Sequence, residues 1–283
     1  MNAKSMQKTP TIKDWTIQAS DKLLAAKIIT AFLDAELILT NILEVERTFL
    51  HCHPEQIISS KQLKIANVML KKRLKHVPIP YILKYKEFYG RKFFTDSAVL
   101  IPRPESENII DIVKSICKKM DLKNNEVTLA DIGTGSGCLG ITIKLEAPRL
   151  NVIISDVSID ALAVANFNAN KLRADIEVIQ SDLLEHYNER PDIIVANLPY
   201  VDKTWFTSPE TAYEPSNALF AADGGMKLIK TLIRQACKFQ RPDSYLILEA
   251  DPRQHIALIT YAKKYNYEHF VTNDFIIGYQ LQN

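Results

Sequence analysis

The first quarter of the chain repeats apolar residues with the period of an α-helix. A shorter apolar stripe consists of Ala35, Leu39 and Ile42. The longer stripe is spaced by three and four residues, as one face of a helix requires, and contains Leu63, Ala66, Leu70 and Leu74. No convincing strand precedes Val77. The pattern predicts a small helical bundle without a catalytic motif of its own.

The pattern changes between residues 77 and 104. The prolines of His76–Pro80 argue against a helix there, and Phe88–Phe94 is typical of a short β-hairpin. Ile101–Pro104 is a second extended, proline-rich stretch. Ser106 then suits the N-cap position of the helix that follows.

From residue 127 onward, short apolar runs alternate with helical patterns. Such alternation predicts a mainly parallel sheet with helices on both faces. The last two runs, His269–Thr272 and Ile276–Leu281, are joined by a short turn and must therefore be antiparallel. The other predicted strands are Val127–Ile132, Asn151–Ser155, Ile176–Gln180, Ile193–Ala196 and Tyr245–Glu249.

A glycine-rich loop follows the first of these strands. Asp131–Gly137 leaves the strand and opens a helix, and its glycines let the chain turn tightly and let a ligand approach the main chain. The second strand leads to Asp156, where a carboxylate can accept hydrogen bonds from both hydroxyls of a ribose. Together these features predict a nucleoside cofactor.

Two classes of cofactor are compatible with this loop. Gly135, Gly137 and Gly140 match the G-x-G-x-x-G pattern of dinucleotide sites, which is a weak signal alone. S-Adenosylmethionine has no pyrophosphate, and its sulfonium and amino group favour a nearby carboxylate, which Asp131 can supply directly or through water. We therefore favour S-adenosylmethionine.

The third strand leads to Asp182 and Leu183. At this edge Asp182 can accept from the adenine amino group, and Leu183 can pack on the ring. An equally good interpretation makes Asp182 the N-cap of a helix.

The segment Asn197–Tyr200 follows the fourth strand, at the edge where ligands of open α/β sheets bind. An amide nitrogen is a poor nucleophile because its lone pair is delocalised, so an enzyme that methylates one must orient the NH₂ group. The Asn197 side-chain oxygen and the Leu198 carbonyl can accept from its two N–H groups. Pro199 stiffens the chain, and Tyr200 offers a face to a planar group. Catalysis then consists mostly of aligning nitrogen, methyl carbon and sulfur.

These motifs resemble a known family. Asp131–Gly137, Asp156 and Asn197–Tyr200 are similar to class I, seven-stranded methyltransferases with an Asn-Pro-Pro-Tyr motif, which act on planar NH₂ groups. Ile101–Glu107 and Tyr213–Leu219 resemble the release-factor glutamine methyltransferases within that class. The resemblance covers nearly the whole chain, since it also includes Asp34–Glu36, Pro78–Tyr81, Glu87–Gly90 and Asp223–Gly225.

The resemblance implies an α/β fold: a Rossmann-like seven-stranded methyltransferase sheet, a small helical N-terminal domain and a β-hairpin linker. It implies a helical substrate-recognition domain (1–76), a linker with the hairpin (77–104) and an S-adenosylmethionine-dependent methyltransferase domain (105–283). The implied reaction methylates the side-chain amide nitrogen of the glutamine in the Gly-Gly-Gln loop of peptide-chain release factors and leaves S-adenosylhomocysteine.

The motifs and the resemblance together name the expected site residues, and no metal ligand is among them. The substrate-binding residues are Asn197, Leu198, Pro199 and Tyr200, of which Asn197, Pro199 and Tyr200 are catalytic. The cofactor-binding residues are Asp131, Gly133, Thr134, Gly135, Ser136, Gly137, Asp156, Asp182, Leu183 and Asn197.

Three features depart from the family pattern. Leu198 stands where proline is usual, and Leu183 replaces a frequent aromatic residue. The turn near Asn273–Asp274 is shorter than in relatives. We expect activity to survive the first change, because a backbone carbonyl acts there.

Charge and composition leave two alternatives open. Residues 1–90 hold 14 Lys and Arg against 8 Asp and Glu, a net +6, and the other 193 residues hold 21 against 25, a net −4. The basic part could meet an acidic protein or RNA, or be a solvated surface. An adenine-N6 nucleic-acid methyltransferase uses the same four-residue motif, but the acidic catalytic part argues against it and against a stable nucleic-acid partner. A non-enzymatic cofactor-binding regulator is the other alternative, and the intact Asn197 and Tyr200 argue against it.

The remaining composition predicts a bacterial cytoplasmic protein, with an organelle as the alternative. The four cysteines are widely spaced and lack metal-ligand spacing, which favours reduced thiols. No apolar run approaches the roughly 18 residues that span a bilayer, so no membrane partner is expected. Lys4, Lys8 and Lys13 lack the apolar core of an export signal.

Overall fold

A computed structural model describes residues 9–120 and 126–283; the expectation that residues 1–8 carry no export signal lies outside them. The chain divides into two compact units, one ending at Lys84 and the other running from Tyr85 to Asn283. The first unit is helical, as its apolar stripes predict. Its helices are α1 (Ile12–Ala25), α2 (Ala31–Leu43), α3 (Arg47–Cys52), α4 (Ser60–Arg73) and α5 (Ile79–Leu83).

Local capping and apolar stripes explain where the longer helices form. Helix α1 begins at Thr11, whose hydroxyl and backbone N–H exchange hydrogen bonds with Asp14, and α4 begins with the same arrangement. Such a capping box satisfies backbone N–H groups that a helix start leaves unpaired. Ala66 and Leu70 of the longer stripe are buried in the core of this unit.

Two acidic residues of α2 are buried and paired. Arg73 Nε on α4 donates to Asp34 Oδ2 at 2.6 Å, and Arg47 at the start of α3 donates to Glu36 at 2.6 Å. Because a buried carboxylate without a partner costs several kcal/mol, these pairs specify how α2 packs against its neighbours.

The prediction that prolines exclude a helix around residue 79 is wrong. Helix α5 is a single short turn with Pro78 at its N-cap and Pro80 within its first turn. Proline is tolerated there because the first helical N–H groups need no partner within the helix. The prolines therefore begin this helix rather than prevent it.

The second unit contains the sheet. Its strands are β1 (Tyr85–Phe88), β2 (Arg91–Phe94), β3 (Thr128–Ile132), β4 (Asn151–Asp156), β5 (Glu177–Gln180), β6 (Ile193–Ala196), β7 (Tyr245–Glu249), β8 (Tyr267–Asn273) and β9 (Ile276–Leu281). Its helices are α6 (Glu107–Lys119), α7 (Cys138–Glu146), α8 (Ile159–Leu172), α9 (Ser216–Leu219), α10 (Lys227–Phe239) and α11 (His255–Lys263).

Seven strands form one sheet in the order β5-β4-β3-β6-β7-β9-β8. Strands β3 to β7 are parallel, and β9 is antiparallel to both β7 and β8, so the predicted seven-stranded α/β fold is confirmed. All residues of β3 and β6 are buried, with α6, α7 and α8 on one face of the sheet and α10 and α11 on the other. The chain order reverses at β3, and the loops after β3, β4 and β6 enclose the crevice in which such sheets bind ligands.

The predicted hairpin is present and belongs to the sheet unit. It turns at Tyr89 and Gly90, both with positive φ, as in a type I′ turn. Phe88 and Phe93 are buried in the core that α6 shares with the sheet. The expected linker of residues 77–104 is therefore divided: residues 77–84 lie in the helical unit, and burial of these two rings places the hairpin in the other.

Candidate active site

A cavity of about 410 Å³ opens at the carboxyl ends of the parallel strands. The loops after β3, β4, β5 and β6 form its walls, together with the segment before α6 and part of α9. Asp131, Gly137 and Tyr200 do not line it. Ten of the predicted site residues do: Gly133, Thr134, Gly135, Ser136, Asp156, Asp182, Leu183, Asn197, Leu198 and Pro199.

Glycine is required at Gly135 and at Gly137, in the loop after β3, for different structural reasons. A Cβ on Gly135 would meet no heavy atom of the described residues within 4 Å, so this glycine borders open space in the cavity. A Cβ on Gly137 would lie 2.6 Å from Ile141 Cδ1 and 3.3 Å from the Ala165 side chain. Gly137 therefore lets the loop pack closely on α8, while Gly135 leaves room for a ligand.

Asp131 lies beneath the loop rather than in the cavity. Its Oδ2 accepts from Thr134 Oγ1 at 2.6 Å and from the Gly140 N–H at 2.9 Å. Its Oδ1 is buried and has no hydrogen-bond partner among the described residues. Burial raises the pKa of Asp131 to about 6, although the two hydrogen bonds oppose the shift. Asp131 thus braces the loop, and its negative charge lies close to the loop. Its interaction with a cofactor, directly or through water, stays a prediction.

Asp156 lines the cavity from the end of β4. Its Oδ2 accepts from the Gly135 N–H at 3.0 Å, and its Oδ1 accepts from the Ser158 N–H at 2.9 Å. Each carboxylate oxygen has a second lone pair, so the side chain is fixed in direction and can still accept from a ligand hydroxyl.

The loop after β5 contains turns and no helix, so Asp182 is not the N-cap of one. The hydroxyl of Ser181 donates to the Leu183 carbonyl at 2.9 Å and accepts from the His186 N–H at 3.1 Å. Leu183 is buried and adopts a positive φ of 52°. The turn therefore leaves the Asp182 side chain exposed at the edge of the cavity.

Asn197 begins the loop after β6 and is held by Ser106, which is held in turn by Glu249. Its Nδ2 donates to Ser106 Oγ at 3.0 Å. The Ser106 hydroxyl donates in turn to Glu249 Oε2 at the end of β7. Ser106 occupies the N-cap position of α6, as predicted, but it ends a 3₁₀ turn with helical φ and ψ, and its side chain makes no capping bond. Its hydroxyl instead accepts from Asn197 and donates to Glu249, and Ser106 lines the cavity.

Tyr200 stands behind the cavity wall. Its hydroxyl donates to Glu249 Oε1 at 3.0 Å, and its carbonyl accepts from Gln254 Nε2 at 2.8 Å. A Cβ on Gly225 would collide with that carbonyl at 1.8 Å, so the Asp223–Gly225 segment packs tightly against it. Burial raises the pKa of Tyr200 well above its ordinary value, as does the neighbouring Glu249. Tyr200 is thus a neutral hydrogen-bond donor.

Leu198 connects the two loops that follow the central strands. Its side chain is buried, and a Cβ on Gly133 would lie 2.8 Å from Leu198 Cδ2. The leucine therefore packs against the glycine loop. No hydrogen bond to the Leu198 carbonyl or to Asn197 Oδ1 occurs within residues 9–120 and 126–283, so both oxygens keep their capacity to accept one.

Two segments singled out in the sequence meet at the cavity. Arg103 donates to Glu214 Oε1 at 2.6 Å, and the Ile101 N–H donates to Glu214 Oε2 at 3.1 Å. Arg103 and Pro215 also line the cavity. The buried carboxylate of Glu214 thus joins the proline-rich segment before α6 to the Tyr213–Leu219 segment.

Sequence reasoning missed Ser106, Glu249 and Arg103 as parts of this site. The available signal for Glu249 was a carboxylate at the end of an otherwise apolar strand, Tyr245–Glu249, where an unpaired charge would be costly. The other two residues give no such signal, because their partners are more than ninety residues away.

The residues around the cavity fit S-adenosylmethionine. Its volume is within the range of about 300–1,000 Å³ of small-molecule sites, and Gly135 and Asp156 offer an open backbone and a fixed carboxylate. The unpartnered Asp131 Oδ1 provides negative charge near the loop, which favours a cation and opposes the pyrophosphate of a dinucleotide.

Comparisons with known proteins agree with this site. The family described as PrmC N-terminal domain matches residues 14–83, and the Methyltransferase small domain matches residues 106–214. A methyltransferase from Pyrococcus furiosus has a similar fold, with a TM-score of 0.51 at 14% identity over 78% of this chain and 99% of that one.

Two curated relatives are similar over most of the chain. The Bifunctional methyltransferase of Rickettsia felis is 31% identical over 91% of this chain, which spans only 55% of that longer protein. The Release factor glutamine methyltransferase of Koribacter versatilis is 34% identical, and the alignment covers 87% of this chain and 90% of that protein. Because the second alignment covers most of this chain and most of the Koribacter versatilis protein at 34% identity, the chain belongs to the release factor glutamine methyltransferase family.

Proposed function

We propose that this chain methylates the side-chain amide nitrogen of the glutamine in the Gly-Gly-Gln loop of peptide-chain release factors. S-Adenosylmethionine supplies an electrophilic methyl group on a sulfonium and leaves as S-adenosylhomocysteine. The observation that carries the proposal is the meeting of Gly135, Asp156 and Asn197 around one cavity in a member of this family.

The cofactor would be held by backbone and side-chain groups of three loops. Asp156 would accept from the ribose hydroxyls, and the open face at Gly135 would let the cofactor lie against the main chain. Asp182 and Leu183 would contact the adenine, by hydrogen bonding and by packing. Asp131 would act through its charge and through the loop that it braces, since it does not line the cavity.

The reacting amide would be oriented by two acceptors. Asn197 Oδ1 and the Leu198 carbonyl would each accept one N–H of the glutamine, which turns the nitrogen lone pair toward the methyl group. Pro199 limits the freedom of this turn, and Tyr200 anchors it from behind through Glu249. These residues align the reactants, and one proton is released in the net reaction.

The helical unit is proposed to recognise the release factor. Four apolar side chains around the turn between α1 and α2 are exposed, Ile29 at 95% of its surface. We call Leu24, Ile29, Phe32 and Leu33 the apolar patch. Exposed apolar patches are typical of protein-binding surfaces, and this unit contributes no residue to the proposed chemistry.

Among the described residues, no helix combines the length and the apolar character that a membrane span requires. We infer that the protein acts in the bacterial cytoplasm, where release factors function, with an organelle as the alternative. A stable nucleic-acid partner is not part of the proposal.

Transfer of labelled methyl groups to purified release factor and to adenine-containing DNA tests the function. We expect label in the release factor. The mass of its Gly-Gly-Gln peptide should increase by about 14 Da, because one methyl group replaces one hydrogen. Label in DNA would favour the adenine-N6 alternative. Cofactor binding without transfer to either would favour a regulator.

A further inference from the structure

Asn197 is connected through a serine to a buried carboxylate on the neighbouring strand. Its Nδ2 donates to Ser106 Oγ at 3.0 Å, and the Ser106 hydroxyl donates to Glu249 Oε2. We propose that Ser106 and Glu249 are positioning residues that hold the Asn197 amide in one orientation, with Oδ1 directed to the substrate. This inference rests on the proposed function, because it gives Oδ1 the task of accepting from the glutamine amide.

The direction of these hydrogen bonds follows from the protons that each group holds. Burial raises the pKa of Glu249, and the hydrogen bonds from Ser106 and Tyr200 oppose that shift. In its ionised form the carboxylate holds no proton, so both hydroxyls donate to it. Ser106 has a single hydroxyl proton, and once it points at Glu249 only lone pairs face Asn197. Those lone pairs can accept from the NH₂ group of Asn197 but not from its oxygen.

The reversed amide would be unfavourable. It would place Asn197 Oδ1 against the lone pairs of Ser106, in a region where Ser106 is 2% exposed and Glu249 is 1% exposed. The loss of one such hydrogen bond changes an equilibrium constant by about tenfold. The chain from Glu249 therefore favours one amide orientation over the other by about that factor.

The orientation decides what the cavity offers to the substrate. With Nδ2 on Ser106, Oδ1 and the Leu198 carbonyl present two acceptors, which match the two N–H groups of a primary amide. With the amide reversed, the NH₂ of Asn197 would face the NH₂ of the substrate, and no hydrogen bond could form. Ser106 and Glu249 thus act on the reaction through Asn197.

A double-mutant cycle tests this route of action. Ser106→Ala should lower the single-turnover rate on release factor about tenfold at saturating cofactor. The KM for release factor should change by less than about twofold, because the protein surface is untouched. In an Asn197→Ala background the same change should lower the rate by less than about twofold, because the amide that Ser106 orients is absent.

Two further variants refine the cycle. Glu249→Gln keeps one acceptor oxygen for Ser106 and should lower the rate less than Glu249→Ala does. Ser155→Ala is the matched control: Ser155 is also buried, and its hydroxyl accepts from Tyr187 at 2.9 Å. Its loss should leave the rate within about twofold of wild type.

Two kinetic results would overturn the proposal. Equal losses from Ser106→Ala in the wild-type and Asn197→Ala backgrounds would mean that Ser106 acts by another route. Wild-type rates in both Ser106→Ala and Glu249→Ala would mean that the Asn197 amide needs no such support.

Exchange of the Asn197 side-chain protons decides the proposal without any substrate. Their signals in ¹⁵N-labelled protein are identified by their loss in Asn197→Ala. They should exchange with solvent about tenfold more slowly in wild type than in Ser106→Ala, and equal rates would overturn the proposal. Failure of the wild-type protein to methylate release factor would, by contrast, contradict the proposed function alone.

Discussion

The two ends of the cavity are built in different ways. At the cofactor end, the hydrogen bonds of Asp131 reach three and nine residues along the chain, and the bond from Gly135 to Asp156 reaches 21. At the reaction end, the bond from Asn197 to Ser106 spans 91 residues, and the bond from Ser106 to Glu249 spans 143. The cofactor end is thus a glycine-rich loop held by hydrogen bonds between residues close in sequence. The reaction end is a side-chain network that exists only in the folded sheet.

This difference predicts how each end responds to substitution. In the proposed function, cofactor contacts are distributed over backbone and side-chain groups of three loops, so the loss of one side chain would remove only part of the binding energy. At the reaction end, Asn197 would provide the only side chain among the two acceptors that orient the nucleophile. Substitutions there should therefore reduce turnover strongly and cofactor binding weakly.

The largest expected effect is that of Asn197→Ala. The change removes one of the two acceptors that orient the substrate amide, and it should lower turnover by roughly 10²–10³-fold, as for other preorganised polar groups. Cofactor affinity should fall much less. Single-turnover kinetics and calorimetry measure the two effects, and near-normal turnover on release factor would show the alignment mechanism to be wrong.

Asn197→Asp sharpens the same comparison. The variant keeps an acceptor oxygen but adds negative charge near the sulfonium, and that charge stabilises the ground state more than a transition state in which the sulfur charge is vanishing. It also has no NH₂ for Ser106 and lies near the Glu249 carboxylate. We expect slower transfer with cofactor affinity retained, and faster transfer would contradict this reasoning.

Asp156→Ala should have the next largest effect. It should weaken cofactor binding rather than lower the rate of methyl transfer. Loss of hydrogen bonds to a charged acceptor should weaken S-adenosylmethionine binding by about 1–3 kcal/mol. Turnover at saturating cofactor should change little. An unchanged calorimetric affinity would exclude the ribose role of this carboxylate.

Asp131 predicts a pH dependence of stability at the cofactor end. Its pKa is raised from 3.8 to about 6 by burial, so its contribution is fully present below the unfolded-state pKa and is lost as pH rises through the folded-state pKa. Between pH 5 and 7, the free energy of unfolding of wild type should therefore fall by roughly 1 kcal/mol relative to Asp131→Asn. Denaturant titrations of the two proteins over this pH range measure the difference, and an equal pH dependence in both would contradict the raised pKa of the buried Asp131 carboxylate.

The smallest effect is expected outside the cavity. Replacing Ile29 and Phe32 of the apolar patch with serine should raise the KM for release factor by several-fold, about 1 kcal/mol, and leave methylation of a short Gly-Gly-Gln peptide unchanged. Ile65→Ser, an exposed apolar residue on α4, is the control. Equal losses on peptide and release factor would argue that the patch supports folding alone.

Local pattern was sufficient to predict the cofactor end of the cavity. Glycine placement in Asp131–Gly137 acts within a few residues, and the apolar period identified the strands that lead to Asp156 and Asn197. Because parallel strands place their carboxyl ends at one edge of the sheet, the order of strands and loops is enough to predict that these motifs meet. The structure brings them together around one cavity, apart from Asp131, Gly137 and Tyr200, which do not line it.

The reaction end could not be predicted in the same way. Ser106 has the local features of a helix cap, and only the neighbouring positions of β6 and β7 place it between Asn197 and Glu249. The buried pair of Asp34 and Arg73 in the helical unit is a second case. The sequence by itself determined the order of elements, the glycine cradle and the methyltransferase motif, because these depend on short-range periodicity and backbone geometry. Only the tertiary structure decided which distant side chains hold that motif, because a hydrogen bond between residues far apart in the chain has no local signature.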